Sequence, residues 1–158
     1  ALWRHISTLE GLDIIGFYDG QVDKGLCPVR LLQQQGDDLG ERLVNGFERL
    51  FNEGFKRVCI IGSDSPTLPT KYIYNAFKML DMVDLVIGPT IDGGYYLIGL
   101  NNPIPQLFKD ISWGSDKVFH QTMQIAHALR LTYHILPKWY DIDDVFGLEK
   151  MVKGRLFE

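Results

Sequence analysis

The sequence R-V-C-I-I-G-S-D-S-P-T-L-P, residues 57–69, decides the fold. Its apolar run over 58–61 is too short for a helix, is rich in β-branched residues and is closed by Gly62, which predicts a buried strand. Asp64 then follows the carboxyl end of that strand, and ligands bind at this edge in open α/β sheets. The alternative is that Asp64 only caps the helix that comes next.

The composition predicts a single soluble domain spanning residues 1–158. A chain of this length can bury one core, and 46% hydrophobic with 23% charged residues is typical of a globular protein. No apolar run approaches the roughly 20 residues needed to cross a bilayer, and the first residues do not resemble a signal peptide, so we expect a cytoplasmic protein with no membrane partner. The net charge of −4 argues against a nucleic-acid partner, so any phosphate must be held locally by a metal ion or by backbone amides.

Strand patterns alternate with helix patterns along the chain. Strands are predicted over 12–18, 29–33, 58–61, 84–89, 95–100 and 131–136. Helices are predicted over 39–52, 70–80, 115–129 and 145–152, with Asp37 or Asp38 capping the first and Thr70 capping the second. This order predicts an α/β sheet that is mainly parallel, with helices on both faces.

Two more acidic loops follow predicted strands. In the first, Asp92 stands beside Gly93 and Gly94, and paired glycines let a backbone approach a ligand closely, although D-G is also a common hairpin turn. The second, D-I-D-D at 141–144, holds three aspartates where a helix cap needs one, and their repulsion calls for a cation or a donor. If the acidic loops share one edge of the sheet, their oxygens could hold Mg²⁺ or Mn²⁺, which would neutralise a diphosphate.

These motifs carry a family resemblance. G-S-D-S-P-T-L-P, then D-L-V-I-G-P-T-I-D-G-G-Y-Y-L-I-G-L, then I-S-W-G-S-D-K-V-F resemble, in order and spacing, a bacterial glycosyltransferase-A-like family of nucleotide-diphospho-sugar transferases, some of arsenosugar type. The similarity runs from about residue 33 to the C-terminus. It implies a Rossmann-like three-layer sandwich. More distantly, the chain is similar to guanylyltransferases of the same fold.

The resemblance also implies roles for individual residues. Asp64 would contact both the metal and the nucleotide, Asp143 would help to bind the metal, and the loop of Asp92 would line the sugar or acceptor side. Within that loop, our own hypothesis is that Asp92 orients the acceptor or acts as its base. The remaining residues expected to contact nucleotide or substrate are Ser63, Ser65, Gly93, Gly94 and Trp113.

The chain departs from the family in two places. Relatives begin with a strand and a basic loop, P-G-x-x-K-T-R-L, that holds the nucleotide phosphates, and residues 1–158 contain no such segment. That strand lies between those matching 12–18 and 58–61, so the chain is expected to belong to a longer protein, to pair these two strands directly, or to be completed by another subunit in a homo-oligomer. Relatives also have D-x-D-T-P where this chain has D-I-D-D-V at 141–145.

The leading functional hypothesis is metal-dependent transfer of a sugar from a nucleotide-diphospho-sugar to a small acceptor. A nucleotidyltransferase of the same fold is the first alternative. A non-catalytic relative that binds a partner or small ligand is the second.

Overall fold

The computed structural model describes residues 6–21 and 29–140. Its strands are β1 (Ile15–Tyr18), β2 (Arg30–Gln33), β3 (Val58–Ile61), β4 (Leu85–Pro89), β5 (Tyr95–Leu100) and β6 (Tyr133–Ile135). Its helices are α1 (Leu39–Asn52), α2 (Thr70–Met79) and α3 (Val118–Ala128), with a short 3₁₀ helix at Pro105–Phe108. The predicted helix over 145–152 lies outside the described residues. The described part contains no helix of the length and apolarity that crossing a membrane requires.

Helix α1 starts where the sequence predicts. The Asp38 carboxylate accepts a 2.8 Å hydrogen bond from the Glu41 backbone N–H, and the Glu41 carboxylate accepts one of 2.8 Å from the Asp37 N–H. The first bond satisfies one of the donors that a helix N-terminus otherwise leaves unpaired, and the second holds the residue that precedes the cap. The apolar face of α1 is buried through Leu43, Phe47 and Leu50.

The other two described helices start differently from the predictions. Thr70 is the first residue of α2 and not its cap: Pro69 holds the cap position with φ −61° and ψ 127°, and no side chain caps the helix. The proline ring fixes that φ, so the change from extended to helical backbone falls after Pro69. Helix α3 begins at Val118 and not at Ser115: the Lys117 N–H donates to the Ser115 hydroxyl at 3.2 Å, and residues 115–117 form the turn that precedes the helix.

The main sheet has the strand order β3-β5-β4-β6. Strand β5 is antiparallel to both β3 and β4, while β4 and β6 are parallel, so three of the four strands run in one direction. Residues of α1 and α3 share one buried cluster with Val58 and Ile98, and residues of α2 share a second cluster with Val86. The helices therefore cover both faces, and the predicted three-layer α/β sandwich with a mainly parallel sheet is confirmed.

Strands β1 and β2 form a separate parallel pair. In the described part of the chain, β1 pairs with β2 alone and β3 pairs with β5 alone, so β1 and β3 do not pair directly. This excludes one of the three arrangements expected from the sequence.

Candidate functional site

Two of the acidic loops, those that carry Asp64 and Asp92, leave the sheet at one end, which we call the carboxyl rim: the described residues that follow β3, β4 and β6. Because β3, β4 and β6 point the same way, Asp64 and Asp92 both follow strand ends at this rim. One strand, β5, separates β3 from β4, which places the two loops about 10 Å apart at the usual spacing between strands. If Asp64 and Asp92 lay at opposite ends of the sheet, they could not belong to one site.

The loop after β3 presents Asp64 to solvent. Its backbone is anchored by the Gly62 N–H, which donates to the Tyr96 carbonyl at 3.0 Å. The Ser63 hydroxyl donates to Asp64 Oδ1 at 3.1 Å, and both side chains are exposed. Ser65 is only 1% exposed, so it packs inside the loop. Asp64 and Ser63 are therefore the groups of this loop that an arriving ligand meets first.

The loop after β4 is a hairpin between antiparallel neighbours, as the D-G dipeptide allows. The Thr90 N–H donates to the Gly94 carbonyl at 3.0 Å. Asp92 Oδ1 accepts hydrogen bonds from the Thr90 hydroxyl and, at 3.3 Å, from the Gly94 N–H. Thr90 is 2% exposed whereas Asp92 is exposed, so a buried hydroxyl fixes the direction of a solvent-facing carboxylate. Sequence reasoning missed Thr90, because a threonine at a strand end gives no signal of its own.

Gly93 joins the hairpin to α3. Its carbonyl accepts a 2.8 Å hydrogen bond from the Phe119 N–H in the first turn of that helix. Its φ is +93°, and a Cβ added there would lie 2.1 Å from the Asp116 carbonyl oxygen. The structure thus gives Gly93 a structural role that the sequence did not predict, and ligand contact by Gly93 and Gly94 stays a prediction.

Trp113 is half-buried between α1 and the start of β5. Its ring meets the Tyr95 ring edge to face, with centroids 6.5 Å apart at 85°. A Cβ on Gly40 would lie 2.9 Å from Trp113 Nε1, so the indole fits only because α1 carries a glycine there. The Tyr95 phenol is neutral at pH 7 and packs against Trp113 in that form, and burial raises its pKa further above the ordinary value. Substrate contact by Trp113 stays a prediction.

The segment after β6 is tied to the same hairpin. The Trp139 N–H donates to the Pro89 carbonyl at 3.0 Å, and the Ile91 N–H donates to the Trp139 carbonyl at 3.1 Å. Tyr140 stacks on Trp139 with centroids 4.9 Å apart. The described chain therefore ends at the carboxyl rim, directly before the D-I-D-D segment, and Asp143 lies outside the described residues.

The rim offers some oxygen ligands of the kind that a hard cation prefers, but its described residues do not form a complete metal site. The Asp64 carboxylate and the Ser63 hydroxyl are of the type that Mg²⁺ and Mn²⁺ prefer, and such ions take further ligands from substrate phosphates and water. Within residues 6–21 and 29–140, no three His, Cys, Asp or Glu side chains cluster in a way that could hold a metal. A metal at Asp64 would thus need oxygen ligands from the substrate or from residues outside those ranges.

Comparison with known proteins gives the family. Residues 12–115 match the model of the family described as "Uncharacterized protein conserved in bacteria (DUF2064)". The chain is 34% identical to a "putative nucleotide-diphospho-sugar transferase" from Desulfovibrio desulfuricans G20, whose crystal structure superimposes with a TM-score of 0.88 over 98% of this chain and 74% of that one. No curated protein matches the chain. The match over 12–115 shows that the chain belongs to the DUF2064 family of bacterial proteins.

Proposed function

We propose that this protein transfers a sugar from a nucleotide-diphospho-sugar to a small acceptor, with Mg²⁺ or Mn²⁺ as cofactor. The observation that carries the proposal is the exposure of two carboxylates, Asp64 and Asp92, at one rim of the main sheet, toward which three of its four strands point. The similar protein from Desulfovibrio desulfuricans supports the nucleotide-sugar as donor.

The charge of the chain explains why a cation is part of the proposal. A protein of net charge −4 with an exposed aspartate at the rim repels a diphosphate unless positive charge is supplied. When bound, a divalent cation supplies that charge and stabilises the departing nucleotide. Asp64 would hold it, with Asp143 as the proposed second ligand. The Ser63 hydroxyl keeps the Asp64 carboxylate oriented through its bond to Oδ1.

Asp92 is the proposed acceptor-side residue. The Thr90 hydroxyl and the Gly94 N–H bind the same oxygen, Oδ1, which orients the second oxygen of the carboxylate. A carboxylate held this way can accept a hydrogen bond from an acceptor hydroxyl and take its proton as the bond to the sugar forms. Trp113, one loop further along, would contribute an apolar surface for a sugar ring.

Calorimetry with UDP-, GDP- and dTDP-sugars in Mn²⁺ tests donor binding. We expect one of them to bind, and we expect Asp64→Asn to weaken that binding at least tenfold because the carboxylate charge is lost. Glu48→Gln is the matched control, since Glu48 is an exposed acid on α1 away from the carboxyl rim. Equal weakening in both variants, or no loss in Asp64→Asn, would contradict the proposed role of Asp64.

Measurements of turnover distinguish the proposed roles of Asp64 and Asp92. We expect Asp92→Asn to keep donor affinity and to lose most of the transfer rate, because the amide cannot take a proton. An Asp92→Asn variant with unchanged turnover would exclude Asp92 as the base. Transfer to arsenic-containing acceptors would support the finer assignment to the arsenosugar type, and release of pyrophosphate from a nucleoside triphosphate would instead support a nucleotidyltransferase.

The second candidate is a non-catalytic protein that binds a partner or a small ligand. Absence of heat with every nucleotide-sugar would support this candidate.

A further inference from the structure

Strand β6 lies at one edge of the main sheet. Among the described residues it pairs with β4 alone, so its other side has no partner strand. The Thr132 carbonyl accepts a hydrogen bond from the Leu85 N–H at 3.1 Å, and the Leu136 N–H donates to a β4 carbonyl at 2.9 Å. Because backbone direction alternates along a strand, the N–H and C=O groups of Tyr133 and Ile135 point away from the sheet.

Apolar side chains stand exposed along this open edge. Tyr133 is 38% exposed and Ile135 is 43% exposed. In the strand register they lie opposite Leu85 and Ile87, which are fully buried, so all four face the side of the sheet on which α1 and α3 pack. The end of α3 lies against the strand, since the His127 and Tyr133 rings have centroids 5.4 Å apart. The edge thus combines outward backbone groups with apolar side chains, which is the surface that an added strand covers.

The outer strand of the smaller sheet has a different surface. The exposed residues of β2 are Arg30 and Gln33, and its two leucines are buried or partly buried. The Glu53 carboxylate accepts hydrogen bonds of 2.6 and 2.8 Å from the Arg30 guanidinium. Charged and polar side chains protect a strand edge from unwanted pairing, so β6 has the surface of a docking edge and β2 does not.

The chain around β6 is basic although the protein is acidic. Residues 117–140 contain no aspartate or glutamate, whereas the whole chain has 20 of them. Arg130 and Lys138 flank β6, are exposed and make no ion pair among the described residues, whereas the other four described arginines each make one. Asp84 contacts the residue before β6, but its carboxylate accepts hydrogen bonds from the Thr132 N–H and hydroxyl, both of 2.9 Å. This charge distribution favours a negatively charged partner at the β6 edge.

Arg130 adopts a backbone conformation that favours glycine. Its φ is +57°, directly after α3, and its N–H donates to the His127 carbonyl at 3.0 Å. Glycine is the usual residue at such a helix end because any side chain makes the left-handed backbone less stable. Among its described contacts, no ion pair of the guanidinium offsets this cost. The fold alone would therefore prefer glycine at this position, and what arginine adds is its charge beside β6.

We propose that the open edge of β6 binds an extended acidic peptide, a segment of a partner protein, as an added strand. Backbone groups of the peptide would bond to those of Tyr133 and Ile135, and its apolar side chains would cover the two exposed ones. Acidic residues near its ends would meet Arg130 and Lys138. Neither aspartate of the carboxyl rim takes part, so this binding is independent of the proposed sugar transfer.

A second copy of this chain fits the edge less well. If two β6 strands paired antiparallel about His134, Arg130 of each copy would lie opposite Lys138 of the other. Like charges placed directly opposite each other destabilise a strand pair. An acidic peptide brings opposite charges to the same two positions.

Calorimetry with two synthetic peptides tests the edge. The acidic peptide has five alternating valines and threonines between pairs of glutamates, and the control peptide has lysines in place of the glutamates. We expect the acidic peptide to bind at least tenfold more tightly than the control. It should slow amide hydrogen exchange at Tyr133 and Ile135 at least tenfold and leave exchange in β2 unchanged. Equal binding of the two peptides, no binding, or protection of β2 in place of β6 would overturn the proposal.

Removal of the two charges tests why they are there. We expect Arg130→Gly combined with Lys138→Gln to weaken binding of the acidic peptide at least tenfold. The urea midpoint should not fall, because glycine suits the φ of +57°. Lys56→Gln combined with Lys109→Gln is the matched control, since both lysines are exposed and lie outside residues 117–140. Unchanged peptide affinity in the first double variant, or equal weakening in both, would refute the role of the two charges.

Ile135→Pro tests the backbone pairing separately from the charges. Proline removes the N–H that points away from β4, so the hydrogen bonds of the main sheet remain. We expect this variant to keep the wild-type circular dichroism spectrum and to bind the acidic peptide at least tenfold more weakly, whereas Ile135→Val should bind as the wild type does. Unchanged affinity in Ile135→Pro would refute strand addition. Tighter binding of a single-stranded oligonucleotide than of the acidic peptide, or a dimer whose β6 amides are protected without peptide, would also overturn the proposal.

Discussion

Replacing Gly93 by alanine tests how strongly the hairpin that follows β4 is held against the start of α3. The substitution adds a Cβ 2.1 Å from the Asp116 carbonyl oxygen, at a residue whose φ is +93°. No atom pair tolerates that distance, so either the hairpin or the turn before α3 must move. The movement would break the hydrogen bond from the Phe119 N–H to the Gly93 carbonyl.

The expected cost of Gly93→Ala combines three effects. A left-handed backbone costs a non-glycine residue about 1–2 kcal/mol. Overpacking adds about 1–3 kcal/mol, and loss of the hydrogen bond to Phe119 adds about 1 kcal/mol. We therefore expect Gly93→Ala to lower the free energy of unfolding by about 3–6 kcal/mol, a large part of the roughly 5–15 kcal/mol typical of a domain.

Gly114→Ala is the matched control for this experiment. Gly114 has φ +77°, but nothing lies within 4 Å of its added Cβ, so only the backbone cost of about 1–2 kcal/mol applies. Urea unfolding followed by far-UV circular dichroism gives both values. If the two variants lose the same stability to within about 0.5 kcal/mol, then contact with Asp116 does not fix the hairpin and our reasoning about Gly93 fails.

Two further predictions concern ionisation. Hydrogen bonds from Arg30 lower the pKa of the Glu53 carboxyl below its usual 4.5, so this pair stabilises the fold above that pH, and the contribution is lost as pH falls through the lowered pKa. The urea midpoint of the wild type should therefore drop more than that of Glu53→Gln between pH 6 and pH 3, and equal drops would refute the pair's role. Burial raises the pKa of the Cys59 thiol to about 12, so Cys59 should react with iodoacetamide at pH 8 far more slowly in the folded protein than in urea. Peptide mass mapping of the alkylated site measures this, and equal rates would contradict the burial of the thiol.

Local sequence predicted the elements well because their causes are local. The β-branched run of β3 and the cap of α1 act within a few residues, and both were predicted, the cap as either Asp37 or Asp38. The prediction that Thr70 caps α2 was wrong, because Pro69 holds the last extended backbone position before that helix.

The arrangement of the site was less predictable because its contacts join distant residues. Gly93 meets Asp116, and Gly40 makes room for Trp113, across many residues of intervening chain. No repeating pattern in the sequence predicts contacts between such distant residues. The sequence predicted that Asp64 and Asp92 follow strand ends, because that position can be read without knowing their neighbours, but it did not predict that Thr90 orients Asp92.

The bond from Phe119 to the Gly93 carbonyl has a consequence for changes in loop length. The Gly93 carbonyl in this turn accepts a hydrogen bond from the first turn of α3. If the turn gains or loses a residue, the carbonyl moves and the Phe119 N–H loses its acceptor. We expect natural variants and engineered libraries alike to tolerate insertions elsewhere on the surface and to reject them between Thr90 and Gly94.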